Sequence, residues 1–158
     1  MAMDNVMLKI TGKSFTREDG EIKEDNIIEF ITEGKMGRLG QSTLIVYPEL
    51  EEYGMGGITT HITITPKKVK VKRSTEDGTE ENLMEFEEGK RFDGIYVTPY
   101  GNFGLELLTD KLSGIGKELG EKDKVSIDYS LSVKGFSESR NSFDIEILSK
   151  QKNGSTGC

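Results

Sequence analysis

Period-two alternation, repeated along the chain with glycine-bearing turns between the runs, is what most restricts how this sequence can fold. Val125, Ile127, Tyr129, Leu131 and Val133 alternate with Ser126, Asp128, Ser130, Ser132 and Lys134. A strand turns successive side chains to opposite faces, so such a run has one apolar and one wet face, whereas on a helix the same residues would be scattered around the axis. Val6, Leu8 and Ile10 repeat the pattern against Met7, Lys9 and Thr11, and Ile62 and Ile64 do so against His61, Thr63 and Thr65. Phe143, Ile145 and Ile147 mark a last strand. Further strands are expected over 26–34, 42–47, 68–73, 82–87, 91–99 and 102–109, separated by turn signals such as Asp19-Gly20 and Asp77-Gly78.

Cross-strand chemistry supports hairpins between these runs. With Val71 opposite Met84, Val69 meets Phe86, Lys70 meets Glu85 and Lys68 meets Glu87. Apolar then faces apolar and cation faces anion, each pair contributing about 0.2–1 kcal/mol. Centring a second hairpin on the loop at 134–141 sets Leu131 beside Phe143 and Tyr129 beside Ile145. The run at 26–34 is ambiguous, because Ile28, Phe30 and Thr32 share one face while Ile27 and Ile31 share the other with Glu29 and Glu33. The polar stretch 17–25 is expected to connect strands, and 110–123 carries only a weak helical signal, over 112–119.

About ten short strands in an antiparallel meander must twist, and closure removes the unpaired edges. The expectation is an all-β fold, a closed or nearly closed antiparallel up-and-down β-barrel of about 8–10 strands. At that size the interior is filled by side chains or holds one small ligand. Composition agrees, since 19 glycines, 3 prolines and 34% hydrophobic residues suit strands that bury one face each. A chain of 158 residues can bury a core as one domain without disulfides or metals. That domain is expected over 1–150, with 151–158 a patternless, disordered tail.

Charge and residue counts exclude several function classes. The net charge of −7 repels a phosphate backbone, so no nucleic-acid partner is expected. No run of ~18 apolar residues suggests a membrane span, and no secretory signal is visible. The lone Cys158 precludes an intrachain disulfide and fits the reduced cytoplasm. One histidine and one cysteine make zinc improbable, and no cofactor is expected. Gly12-Lys13-Ser14 imitates the end of a phosphate-binding loop, but Met7 stands where that loop needs glycine. Glu80, Glu81, Glu85, Glu87 and Glu88 lie beside the lysines of 68–72 and read as a solvated charged face. No nucleophile, base and orienting group can be assembled, so catalysis is not expected.

Two stretches carry a family resemblance, MEFEEG at 84–89 and YVTPYG at 96–101. With the early strand at 9–12, the lysine-rich strand ending Arg73-Ser74 and the strand at 127–131, they resemble the YwiB-like family of uncharacterised bacterial proteins (DUF1934). The resemblance covers nearly all of 4–149. It implies a calycin-type, lipocalin-like barrel of cytosolic bacterial origin and brings no activity, cofactor or catalytic residue with it. The loop PELEEYGMGG is longer than the family pattern.

Four residues are the expected lumen contacts: Arg73, Tyr96, His61 and Phe86. Parity groups Arg73 with Val69 and Val71, where a buried guanidinium needs a carboxylate such as Glu106 or Asp93, unless it snorkels from the barrel mouth. Tyr96 shares its parity with Phe92, Gly94 and Thr98, which suits a pocket wall or ordinary core, and Thr98-Pro99-Tyr100-Gly101 makes a turn. His61 shares a face with Thr63 and Thr65, and is either a polar lumen contact or a surface histidine. These readings lead to a non-catalytic barrel binding a small apolar or amphipathic ligand. The alternative is a solid barrel acting as an interaction or scaffold protein through its outer surface, its rim loop or a homodimer.

Overall fold

A computed structural model describes residues 3–18, 21–49, 57–78, 81–98, 100–133 and 137–151. The strands are β1 (Met3–Glu18), β2 (Glu21–Leu39), β3 (Ser42–Pro48), β4 (Ile58–Ile64) and β5 (Lys68–Thr75), then β6 (Glu81–Glu87), β7 (Arg91–Thr98), β8 (Gly101–Ser113), β9 (Lys124–Val133) and β10 (Ser137–Gln151). They form one antiparallel sheet in the order β6-β5-β4-β3-β2-β1-β10-β9-β8-β7. Consecutive strands are neighbours, and the first and last strands pair with each other. The two edges are therefore β6 and β7, in the middle of the chain. The sheet rolls into a ten-stranded up-and-down barrel that is nearly closed, because these edges face one another.

The seam is bridged by a side chain. Asn82 of β6 accepts a hydrogen bond from the Val97 amide of β7 at 2.8 Å and donates one to the Val97 carbonyl at 3.4 Å. A side-chain amide thus takes the place of a ladder residue, which satisfies backbone groups that an open edge would leave bare.

Alternation fixes what lies inside. Leu8, Ile10, Ile45, Ile62, Val69, Val71, Phe86, Leu107, Ile127, Ile145 and Ile147 are all buried in one cluster. The lysine hairpin has the expected register, with Val71 opposite Met84, Val69 opposite Phe86, Lys70 opposite Glu85 and Lys68 opposite Glu87. On β2 the inward face is that of Phe30 and Thr32, while Ile27 and Ile31 point outward, 49% and 58% exposed. Gly34 lets Leu8 and the β3 backbone approach β2 closely. A Cβ there would meet Leu8 Cδ1 at 2.7 Å and the Val46 carbonyl oxygen at 2.8 Å.

Three local expectations are corrected. The last hairpin pairs Leu131 with Ser139, Tyr129 with Asn141 and Ile127 with Phe143, four residues from the expected register. An even shift keeps every side chain on its face, so alternation alone could not distinguish the two registers. The stretch expected to be a polar connection is ladder almost throughout, with β1 running to Glu18 and β2 starting at Glu21. Asp19-Gly20, Glu80, Pro99, most of the rim loop (50–56) and the tail from 152 lie outside the described residues.

The segment after β8 forms no helix and packs against the core as irregular chain. Leu119 is 2% exposed and Ile115 packs against the same core, so the segment joining β8 to β9 lays apolar side chains on it. Gly114 makes this path available at φ +82°, where a Cβ would lie 2.0 Å from the Lys124 carbonyl oxygen. Asp123 anchors the turn by accepting from the Gly120 amide at 2.7 Å and from Lys117 at 3.1 Å. Those two hydrogen bonds, the backbone one foremost, hold its carboxyl below the ordinary carboxylate range.

Candidate functional site

Register assembles the site. Tyr47 on β3 pairs with Thr60 on β4, Thr60 with Arg73 on β5, and Arg73 with Asn82 on β6. One transverse row therefore carries four polar side chains across four strands and ends at the seam. Most other inward positions on these strands are apolar. Glu49 joins the row from just past β3, because its amide donates to the Ile58 carbonyl at 2.9 Å and so continues the hairpin. Two residues beyond Tyr47, it keeps the inward parity, and its side chain is only 5% exposed.

The arrangement is charged and partly satisfied. The Thr60 hydroxyl donates to Glu49 Oε1 at 2.6 Å, and Arg73 Nε stands 3.4 Å from the same oxygen. This contact provides Coulomb attraction, but it lacks hydrogen-bond geometry, so the Arg73 Nε–H remains unpaired. Tyr47 is 1% exposed, and its hydroxyl also has no partner, although Thr60 and Arg73 lie beside it. Burial, reinforced by the Glu49 charge, pushes the Tyr47 hydroxyl far above the ordinary tyrosine range, so it stays protonated and acts as a donor. Burial likewise raises Tyr129.

These groups line a cavity of about 180 Å³ at one end of the barrel. Its polar lining includes Tyr47, Glu49 and Arg73 together with Lys13, Ser14, Asn26, Asn141 and Ser142, and its apolar lining includes Ile10, Phe30, Tyr129 and Phe143. Phe30 leans on Tyr47 with ring centroids 6.3 Å apart. At ~30 Å³ per water the space holds roughly six waters or one small organic molecule. Gly12 belongs to this wall, and a Cβ built on it would meet nothing within 4 Å. Two larger hollows, of about 640 and 620 Å³, lie on the outer wall. They are rimmed by residues already paired across strands, such as Arg91 with Glu106 and Lys35 with Asn5.

Of the four residues singled out from sequence, the structure places one on the cavity wall and one beside it. Arg73 lines the cavity, but its carboxylate is Glu49. Asp93 and Glu106 instead bind Arg91 on the exposed face, at 2.9 and 2.7 Å. Their parity is opposite to that of Phe92 and Gly94, so they cannot reach the lumen. Phe86 is fully buried and packs edge-on against Tyr129 at 4.9 Å, supporting the wall from behind. Tyr96 has the inward parity but sits opposite Phe103, beyond the buried Leu105, and is 45% exposed. His61 stands on the outer wall between Val46 and Lys72, and it is Thr60, its neighbour, that points inward. Sequence reasoning missed Tyr47, Glu49 and Thr60. Carrying the Arg73 register back two strands would have found Thr60 and Tyr47, whereas Glu49 was hidden by its place in a glycine-rich loop.

Among the described residues no group of three or more His, Cys, Asp or Glu side chains is placed to hold a metal. No curated protein matches the chain. The YwiB protein of Bacillus subtilis has a similar crystal structure, with a TM-score of 0.67 at 22% identity, over 98% of this chain and 96% of that one. At that identity the likeness concerns the fold alone. The sequence profile of the domain of unknown function DUF1934 matches residues 8–145, nearly the whole barrel, and the chain belongs to that family.

Proposed function

We propose that this protein is a non-catalytic, cytoplasmic barrel of the calycin, lipocalin-like type that takes a small amphipathic molecule into the open end of its lumen. The observation that carries this reading is the pair of unpaired polar groups, the Tyr47 hydroxyl and the Arg73 Nε–H, on the wall of a cavity that also presents Ile10, Phe30, Tyr129 and Phe143. A buried donor without an acceptor costs about 1–3 kcal/mol, and a ligand acceptor recovers that energy on binding. Apolar pockets with a few placed polar groups are the usual ligand sites in barrel mouths. The net charge of −7 and the single cysteine support an acidic protein of the reducing cytoplasm without a nucleic-acid partner.

Gly12→Leu tests the reading without touching a polar group. Its side chain projects into open space within the cavity, so the variant is expected to fold as the parent does and to lose ligand. Native mass spectrometry of the protein as purified, together with amide-shift mapping of a small-fragment collection, supplies the measurement. Fragments that shift Tyr47, Thr60 and Tyr129 in the parent and leave Gly12→Leu unmoved support lumen binding. Equal binding by both proteins would refute it.

A second reading, an interaction protein acting through its outer surface, is favoured by one feature. Ile95, Leu108 and Leu83 on β7, β8 and β6 are 60%, 45% and 39% exposed. Size-exclusion chromatography with light scattering tests self-association, and a strict monomer at high concentration counts against a homodimer.

A further inference from the structure

The donor and acceptor balance of the cavity says more than that something binds. Tyr47 Oη and Arg73 Nε are the unpaired buried polar atoms on its wall: the Arg73 Nε–H only donates, and the protonated Tyr47 hydroxyl has a proton to donate besides its lone pairs. The third such atom among the described residues, Thr109 Oγ1, lies off this wall. Glu49 Oε1 accepts from Thr60 and faces Arg73, so that oxygen is engaged and the carboxylate charge is paired. Arginine carries five N–H donors in a planar fork, and Arg73 Nε is left without a hydrogen bond. An amine offers only donors and would set a second cation against the Arg73 guanidinium. An amide offers one acceptor but turns its NH₂ group toward a donor. A carboxylate offers only acceptors, and its two oxygens fit a guanidinium edge and a hydroxyl together.

Resting on the lumen-binding reading above, we propose that the ligand is a small monocarboxylate with an aromatic or short aliphatic body, its head held by the Arg73 guanidinium and the Tyr47 hydroxyl. The body lies along Ile10, Phe30, Tyr129 and Phe143, the apolar side of the cavity. Glu49 holds Arg73 in place and balances its charge in the empty protein. With the Arg73 charge already shared with Glu49, a monoanion meets less repulsion there than a dianion such as a phosphate monoester. The volume of about 180 Å³ excludes long-chain fatty acids and suits a body the size of a phenyl ring.

Three probes with nearly the same skeleton isolate the head group: phenylacetate, phenylacetamide and 2-phenylethylamine, titrated into the full-length protein by amide-shift mapping up to 10 mM. Phenylacetate is expected to bind about tenfold or more tighter than the amide, as charge-assisted pairing to a guanidinium provides. The amine is expected not to bind. Arg73→Met should reduce phenylacetate to the level of the amide, and Tyr47→Phe should weaken it several-fold. If Arg73→Met does not fold, Tyr47→Phe carries the test, since it only removes an unpaired hydroxyl. Amide or amine binding as tightly as the acid, with shifts at Tyr47 and Thr60, overturns the carboxylate assignment and leaves lumen binding standing. No binding by any of the three, or equal binding by Gly12→Leu, overturns both.

Discussion

Burial makes the Tyr47 hydroxyl a group that the folded protein tolerates only while neutral. Its pKa is raised above the unfolded value of about 10, chiefly by desolvation and then by Glu49. A raised folded pKa means that the stabilising difference is intact below the unfolded pKa and is lost as pH climbs through and beyond it. Urea unfolding should therefore be unaffected by this group up to about pH 10 and weaken above it. Tyr47→Phe should show a smaller alkaline loss, with Tyr129, also raised by burial, accounting for part of what remains. At pH 7 the same variant should be as stable as the parent or up to about 1 kcal/mol more stable, because it deletes a buried hydroxyl that has no partner. A hydroxyl that costs stability yet lines the cavity fits a group retained for a ligand. A large destabilisation at pH 7 would instead mark it as structural. Little of this residue-level picture was legible in the sequence. Arg73 stood out because it breaks an apolar parity, but Glu49 stands in a stretch whose glycines signal a loop, and no local rule pairs the two.

Elements show the opposite balance. Alternation located most strands, and complementary pairs fixed the register of the β5–β6 hairpin. Where no such pair discriminates, as between β9 and β10, the register came out four residues away on the same faces. The close approach of β2 to Leu8 and β3 at Gly34 and the Asn82 bridge across the β6–β7 seam each use a residue whose role is invisible locally. Gly34→Ala should cost about 1–3 kcal/mol, because its Cβ meets Leu8 and the Val46 backbone, and chemical denaturation measures it directly. Asn82→Ala should cost a similar ~1–3 kcal/mol by orphaning the Val97 amide, and that amide's hydrogen exchange should accelerate selectively. Unchanged exchange at Val97 would mean that the seam is held by other contacts.

At the scale of the whole molecule, the pairing of β1 with β10 joins the two halves of the sheet, and the Leu119 segment packs on the core. Leu119→Ala should cost about 2–4 kcal/mol in urea unfolding, since a fully buried leucine is truncated on the core. The sequence by itself determined the strand content, the inward face of most strands and the antiparallel meander, because alternation and turn chemistry are local and have period two. Only the tertiary structure decided which polar residues share the lumen. Tyr47, Thr60, Arg73 and Asn82 come from four strands and meet only through three successive registers, and Glu49 turns inward only because its backbone extends the β3–β4 hairpin. Such meetings depend on summed register, and a one-residue slip in any of these hairpins would turn part of the row outward.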